Sequence, residues 1–191
     1  MSLENPAEHI SVIEPQNKLF DLKLKEIWQY RDLLSLFIRR EIVVKYKQTI
    51  LGPAWYIIQP IMTTIMFTIV FGNIAGIPTD GVPKVLFYLA GITAWNYFAE
   101  SLKLTANIFI KEADIFKKVY FPRTIMPAAA VISELLKFVI QFLLFIVVYL
   151  FFMISGSPFM LNWTIVLLPL YITITAGLGL GFGLLVSSMT T

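Results

Sequence analysis

The sequence predicts an all-α fold, a polytopic transmembrane helical bundle preceded by an N-terminal amphipathic interfacial helix. Three observations carry this. Hydrophobic residues make up 58% of the chain and charged residues 14%, against about half and about a quarter in soluble domains. Apolar runs of about 20 residues, the length needed to cross hydrocarbon, recur along the sequence. No formally charged residue follows Lys137 before the chain reaches Thr191. A soluble fold of this size has no way to cover so long an uncharged stretch, because monomers rarely expose large contiguous apolar patches. Lipid is the solvent this segment calls for.

Residues 1–17 hold acids and two prolines and read as a flexible leader. They lack the basic-then-apolar pattern of a cleavable signal. Residues 18–48 form the interfacial segment. Ile27, Tyr30, Leu34, Phe37 and Ile38 recur at helical spacing, with Arg31, Asp32, Arg39 and Arg40 at other positions. Such a helix is too charged to span and too apolar to lie free in water, so it suits the membrane surface or the side of another protein. Residues 49–191 then hold four expected spans, at about 51–74, 85–110, 126–154 and 163–186. Gly76, Pro78, Gly81 and Pro83 mark a short turn between the first two, and Ser155-Gly156-Ser157-Pro158 another between the last two.

Basic residues give the orientation. Lys18, Lys23, Lys25, Arg31, Arg39, Arg40, Lys45 and Lys47 precede the first span, and Lys111, Lys117, Lys118 and Arg123 fall between the second and third. The two short loops offer only Lys84. By the positive-inside rule the N-terminus and the long middle loop face the cytoplasm in a multi-pass membrane protein. Pro60 lies inside the first span, where Thr63 and Thr64 are placed to satisfy freed backbone groups.

Composition excludes several chemistries. With no cysteine and one histidine, His9 in the leader, disulfides and thiolate metal sites are ruled out. No G-x-x-x-x-G-K-[ST] stretch occurs, so this polypeptide does not itself couple ATP to work. Gly177, Gly179, Gly181 and Gly183 sit in apolar sequence without the strand and helix of a phosphate-binding loop. Gly177 with Gly181, and Gly179 with Gly183, instead match small-xxx-small packing.

Polar residues inside spans are costly and usually face protein or water. Asn96, Glu100, Lys103 and Asn107 share one helical stripe, as do Glu134, Lys137 and Gln141. One reading has the stripes line a polar route, with Asn96, Tyr97, Glu100 and Gln141 as candidates. The other has Glu100 with Lys103, and Glu134 with Lys137, neutralise each other.

Two stretches bring in a family. Arg39 to Pro60 reads R-R-E-I-V-V-K-Y-K-Q-T-I-L-G-P-A-W-Y-I-I-Q-P, and Ile115 to Arg123 reads I-F-K-K-V-Y-F-P-R. Both closely resemble bacterial ABC exporter permeases that move O-antigen, capsule or teichoic acid polysaccharides. Leu89 to Phe98 fits the second span of that family. The resemblance implies a permease that pairs as a homodimer, each copy docking a separate ATPase that carries ATP and magnesium, with no cofactor on this chain. Lipid-linked polysaccharide and membrane lipid are the other expected partners; no nucleic acid is expected. It also implies a short coupling helix at about residues 112–121, placing Ile115, Phe116, Lys117, Lys118, Val119 and Tyr120 against the ATPase. Such permeases have six spans, so the chain reads as truncated after its fourth.

Two rival functions stand beside O-antigen-like export. One is a permease of the same build for a small lipophilic substrate. The other is a membrane transferase, for which Glu112 and Asp114 are the only close acidic pair in the middle loop.

Overall fold

The computed structural model describes residues 30–47, 54–118, 121–156 and 166–190. The leader 1–17, residues 18–29 of the interfacial segment and the first residues of the fourth expected span lie outside them. Among the described residues the order is α1 (Arg31–Lys47), α2 (Trp55–Phe67), α3 (Lys84–Lys111), α4 (Ala113–Lys118), α5 (Ile125–Ile154) and α6 (Leu168–Thr190). Among the described residues, three helices are long and apolar enough to cross a membrane: Trp55–Ile74, Ile125–Ile154 and Leu168–Met189. The second expected span, α3, has the length, 28 residues. It carries Lys84, Glu100, Lys103 and Lys111 together with Thr93, Trp95, Asn96 and Ser101, and is less apolar than the other three. α6, α5 and α2 all pack against it, while Lys84, Lys103 and Lys111 stay exposed and Glu100 is half-buried.

Local chemistry accounts for the helix ends. α2 keeps Pro60 in its interior, and Thr63 Oγ1 donates to Gln59 O at 2.9 Å one turn away. The hydroxyl of Thr64 is buried without a partner. Past Phe67 the helix relaxes into a π-helical stretch, Thr68–Ile74, closed by Ala75 N–H donating to Val70 O at 2.9 Å. Widening the turn leaves carbonyls at the end of the helix, and Lys84 reaches back to them. Its Nζ donates to Gly72 O at 2.7 Å and Asn73 Oδ1 at 3.1 Å. A cation at a helix C-terminus also answers the helix dipole. The lone basic residue of the short loops therefore has a structural task. Gly76 and Gly81 turn the loop with φ of 66° and 83°, a region glycine enters without a Cβ clash.

The expected amphipathic stripe is present in α1, but it meets the chain's own bundle. Phe37 is buried in a cluster with Ile108, Phe121, Ile125, Met126, Ala129 and Ala130, and Leu34 and Ile38 pack on it. A second cluster joins α3, α5 and α6 through Tyr97, Val131 and Phe138. The buried residues of α6 with the smallest side chains form one line, Thr175, Gly179, Gly183 and Ser187.

Candidate functional site

Two regions gather the residues that chemistry singles out. The first is a groove of about 870 Å³ between α2 and α3, with Phe145 of α5 in its wall. Because α2 and α3 run antiparallel across one short loop, the lining is graded. Phe67, Phe71, Leu86 and Phe87 line it toward that loop, while Gln59, Thr63, Asn96 and Trp95 supply polar and amphipathic groups farther down. Trp95 is 66% exposed, an indole face and an N–H donor on an open wall. Aromatic faces and amide groups together suit sugar-like or amphipathic ligands.

The polar stripes divide between groove and interior. Asn96 lines the groove and Glu100 is half-buried. Tyr97 lies inside, its ring 5.3 Å from that of Phe138. Gln141 is 1% exposed, with Nε2 lacking a hydrogen-bond partner. So the four candidate path residues do not share one surface. Among the described residues Glu100 and Lys103 form no ion pair, and Lys137 lies over the Tyr56 ring at 5.7 Å.

The second region is the end of the bundle where the basic residues cluster. Here α4 hangs between α3 and α5. Phe116 stacks on Phe121 at 5.4 Å and meets Phe109 at 5.2 Å. Ile115 and Phe116 are half-buried against the Phe37 cluster, so their apolar surface anchors α4 to its own bundle. Asp114 is exposed. Lys117 and Lys118 are in α4, but their side chains, with Val119 and Tyr120, lie outside the described residues.

Beside α4 sits a charge cluster that sequence reasoning missed. Arg40 of α1 donates to the Glu112 carboxylate and also meets Glu41 at 3.4 Å, while Lys111 Nζ lies 3.7 Å from Glu41. Both carboxylate side chains are at most 10% exposed. The Arg40 guanidinium also lies 5.5 Å from the Phe37 ring centre. The one available signal was the opposite charges of Arg40-Glu41 and Lys111-Glu112 at the borders of apolar segments.

The glycine series of α6 resolves into two faces. A Cβ on Gly183 would sit 2.5 Å from Thr105 Cβ and 2.9 Å from Leu102 O, and one on Gly179 would sit 2.9 Å from Ser101 Cβ. Gly177 and Gly181 would meet nothing within 4 Å. Close approach of α3 and α6 therefore runs through Gly179 and Gly183, against Ser101 and Thr105. No group of three or more His, Cys, Asp or Glu side chains that could hold a metal ion occurs among the described residues.

Comparison with known proteins places these features in a family. The chain is 26% identical over 119 residues to the O-antigen export system permease protein RfbA of Myxococcus xanthus, covering 62% of this chain and 45% of that protein. It is 30% identical over 108 residues to the Klebsiella pneumoniae protein of the same name, covering 56% of this chain and 41% of that one. The chain thus spans less than half the length of these curated relatives. Residues 32–191 match the ABC-2 type transporter family as a whole. With a match that runs from the first turn of α1 through all of α6, the chain is a membrane protein of the ABC-2 type transporter family.

Proposed function

We propose that this chain is the permease subunit of an ABC exporter that moves a lipid-linked, O-antigen-like polysaccharide across the bacterial inner membrane. The observation that carries the reading is its likeness to two proteins named as O-antigen export permeases. ATP and magnesium belong to a separate ATPase, and two permease copies pair to enclose the route. In this reading the basic end and the N-terminus face the cytoplasm, as the distribution of lysine and arginine favours.

The geometry supplies roles. α4 is held from behind by Phe116 and Ile115, so its opposite side, where Asp114 is exposed, is the surface offered to the ATPase. Lys117 and Lys118 set the charged rim, with Val119 and Tyr120 continuing the contact. The sugar chain passes along the groove side, where Asn96, Trp95, Gln59 and Thr63 present hydrogen-bonding groups and an aromatic face. Glu100 borders that route. Tyr97 and Gln141 join it only if α3 and α5 part.

The mostly aromatic and aliphatic wall of the groove favours a second reading, a permease for a small lipophilic substrate. Deleting the gene separates the two. Polysaccharide export predicts lipid-linked polymer trapped inside the cell and restored to the surface by re-expression. Normal surface polymer in the deletion strain would rule the first reading out.

A further inference from the structure

Glu112 occupies an unusual position for a carboxylate. Its N–H donates to Ile108 O at 3.0 Å and so ends α3, while its carbonyl accepts from Ile115 N at 3.0 Å and Phe116 N at 3.3 Å and so starts α4. One residue is thus both the end of the long central helix and the beginning of the short one. Its side chain is then gripped from a third element, by Arg40 on α1, across 72 residues of sequence. Glu41 and Lys111 extend the same cluster, so that two cations and two carboxylates alternate. The Phe37 ring lies against the Arg40 guanidinium and is tilted against Phe121, on which Phe116 stacks.

A carboxylate this buried is retained only with a cation in good geometry, because removing the partner leaves an uncompensated charge. Arginine suits the place better than lysine. Its Nη2 contacts both the Glu112 and the Glu41 carboxylates, and a guanidinium is more weakly hydrated than an ammonium and stays charged when partly buried. The cluster therefore resists separation of α1 from the α3–α4 corner far more than apolar contact alone, which permits sliding.

We propose that Arg40 and Glu112 form a joint that makes α1 move with α4, so that a partner displacing α4 also carries the N-terminal helix and the end of α3. The proposal rests on the reading above that α4 meets a nucleotide-hydrolysing subunit. Arg40 and Glu112 are positioning residues in this scheme: they touch no substrate and set the movement of the elements that do. The joint also gives α1 a task beyond covering the bundle.

The test uses the full permease with its ATPase in lipid vesicles. Because residues 1–191 hold no cysteine, spin labels can be placed at Leu36→Cys, exposed on α1, and at Ala113→Cys, half-buried at the start of α4. The label-to-label distance is measured without nucleotide and after trapping with ATP and vanadate. With the joint intact the distance should stay constant between the two states. In Glu112→Gln it should broaden and become nucleotide-dependent, and substrate moved per ATP hydrolysed should fall by about tenfold. The exchanged pair Arg40→Glu with Glu112→Arg should recover most of that ratio, a rescue that loss of folding alone would not give. A shift of distance on trapping in the parent protein would overturn the joint. So would an unchanged transport ratio in Glu112→Gln, or no recovery in the exchanged pair. If Glu112→Gln does not assemble, the parent distance still decides. Failure of the transport reading looks different: ATP would drive no polymer movement in the parent. The distance distributions of parent and Glu112→Gln without nucleotide would then still report on the joint.

Discussion

The two ends of the bundle are built on different terms, and α5 shows both in one helix. Its buried residues all fall between Ile125 and Gln141. Beyond them Leu143, Val147, Phe151, Met153 and Ile154 are exposed, the last at 85%. At the basic end α1, α3, α4 and α5 close around Phe37 and Ile125, and Arg40, Glu41, Lys111 and Glu112 are paired there. At the other end α2 and α3 leave a groove, and apolar side chains face outward. Lipid tails are as apolar as leucine, so exposure at that end costs little. Water is the solvent near the charges, and there apolar surface must be packed. The membrane thus relieves one half of the chain of the need for a core. The other half is left to hold the helices in register.

That contrast is open to direct attack. Phe37→Ala should lower the stability of the detergent-solubilised protein by about 3–4 kcal/mol, since it empties a ring-sized volume in the cluster. Phe151→Ala, at the exposed end, should change it by less than about 0.5 kcal/mol. Thermal unfolding of the two variants side by side measures both. Equal losses would mean that the outward face of α5 is packed against something and that the two ends do not differ in kind.

The next effect in size tests the register itself. Gly183→Ala should cost about 2 kcal/mol, because the new methyl meets a Thr105 side chain and the Leu102 carbonyl with no slack on either. Gly181→Ala should be neutral or slightly stabilising through helix propensity, by under about 1 kcal/mol. The readout is the same unfolding series. Sensitivity at Gly181 in place of Gly183 would move the close-packed seam to the opposite face of α6.

Much of the architecture could be read from residue types, and the failures share a cause. The third expected span began at residue 126 and α5 begins at Ile125; the second, expected at 85–110, became Lys84–Lys111. Pro83 before one helix, and Pro122-Arg123 ahead of the other, are local marks of a helix start. Spacing gave both glycine pairs of α6 but not the choice between them. A helix apolar all round has no polar face to orient it, and the choice belongs to Ser101 and Thr105 on another helix. Ile115 and Phe116 were legible as buried residues. Their packing against their own chain depends on Phe121 and Phe37. The Arg40–Glu112 contact bridges 72 residues, beyond the reach of any local pattern. The π-helical end of α2 likewise depends on Lys84, a residue in the next helix.

Lys84 offers the third and smaller effect. Replacing it with methionine keeps the stem and removes the donor to Gly72 O and Asn73 Oδ1. Loss of an exposed charge-assisted cap should cost about 0.5–1 kcal/mol. It should also speed hydrogen exchange at the amides of residues 72–77 ahead of the rest of α2. Exchange that stays uniform along α2 would show that the π-helical stretch holds without the lysine.

The smallest expected effect carries the sharpest distinction between packing and transport. Gln141 is 1% exposed, and its Nε2 donor has no partner. A buried donor that bonds to nothing already bears its desolvation cost, so an apolar residue of similar volume should be neutral or better. Gln141→Leu is therefore expected to leave stability within about 0.5 kcal/mol of the parent or raise it. Export of polymer should be unchanged. Asn96→Leu, at the groove wall, should keep stability as well, because its side chain is only partly covered, yet should reduce export. If Gln141→Leu instead abolished export while stability held, α3 and α5 would have to separate during transport. The unpaired amide would then be a contact waiting for substrate, and the closed interior seen around Tyr97 and Phe138 would be one state of a route that opens.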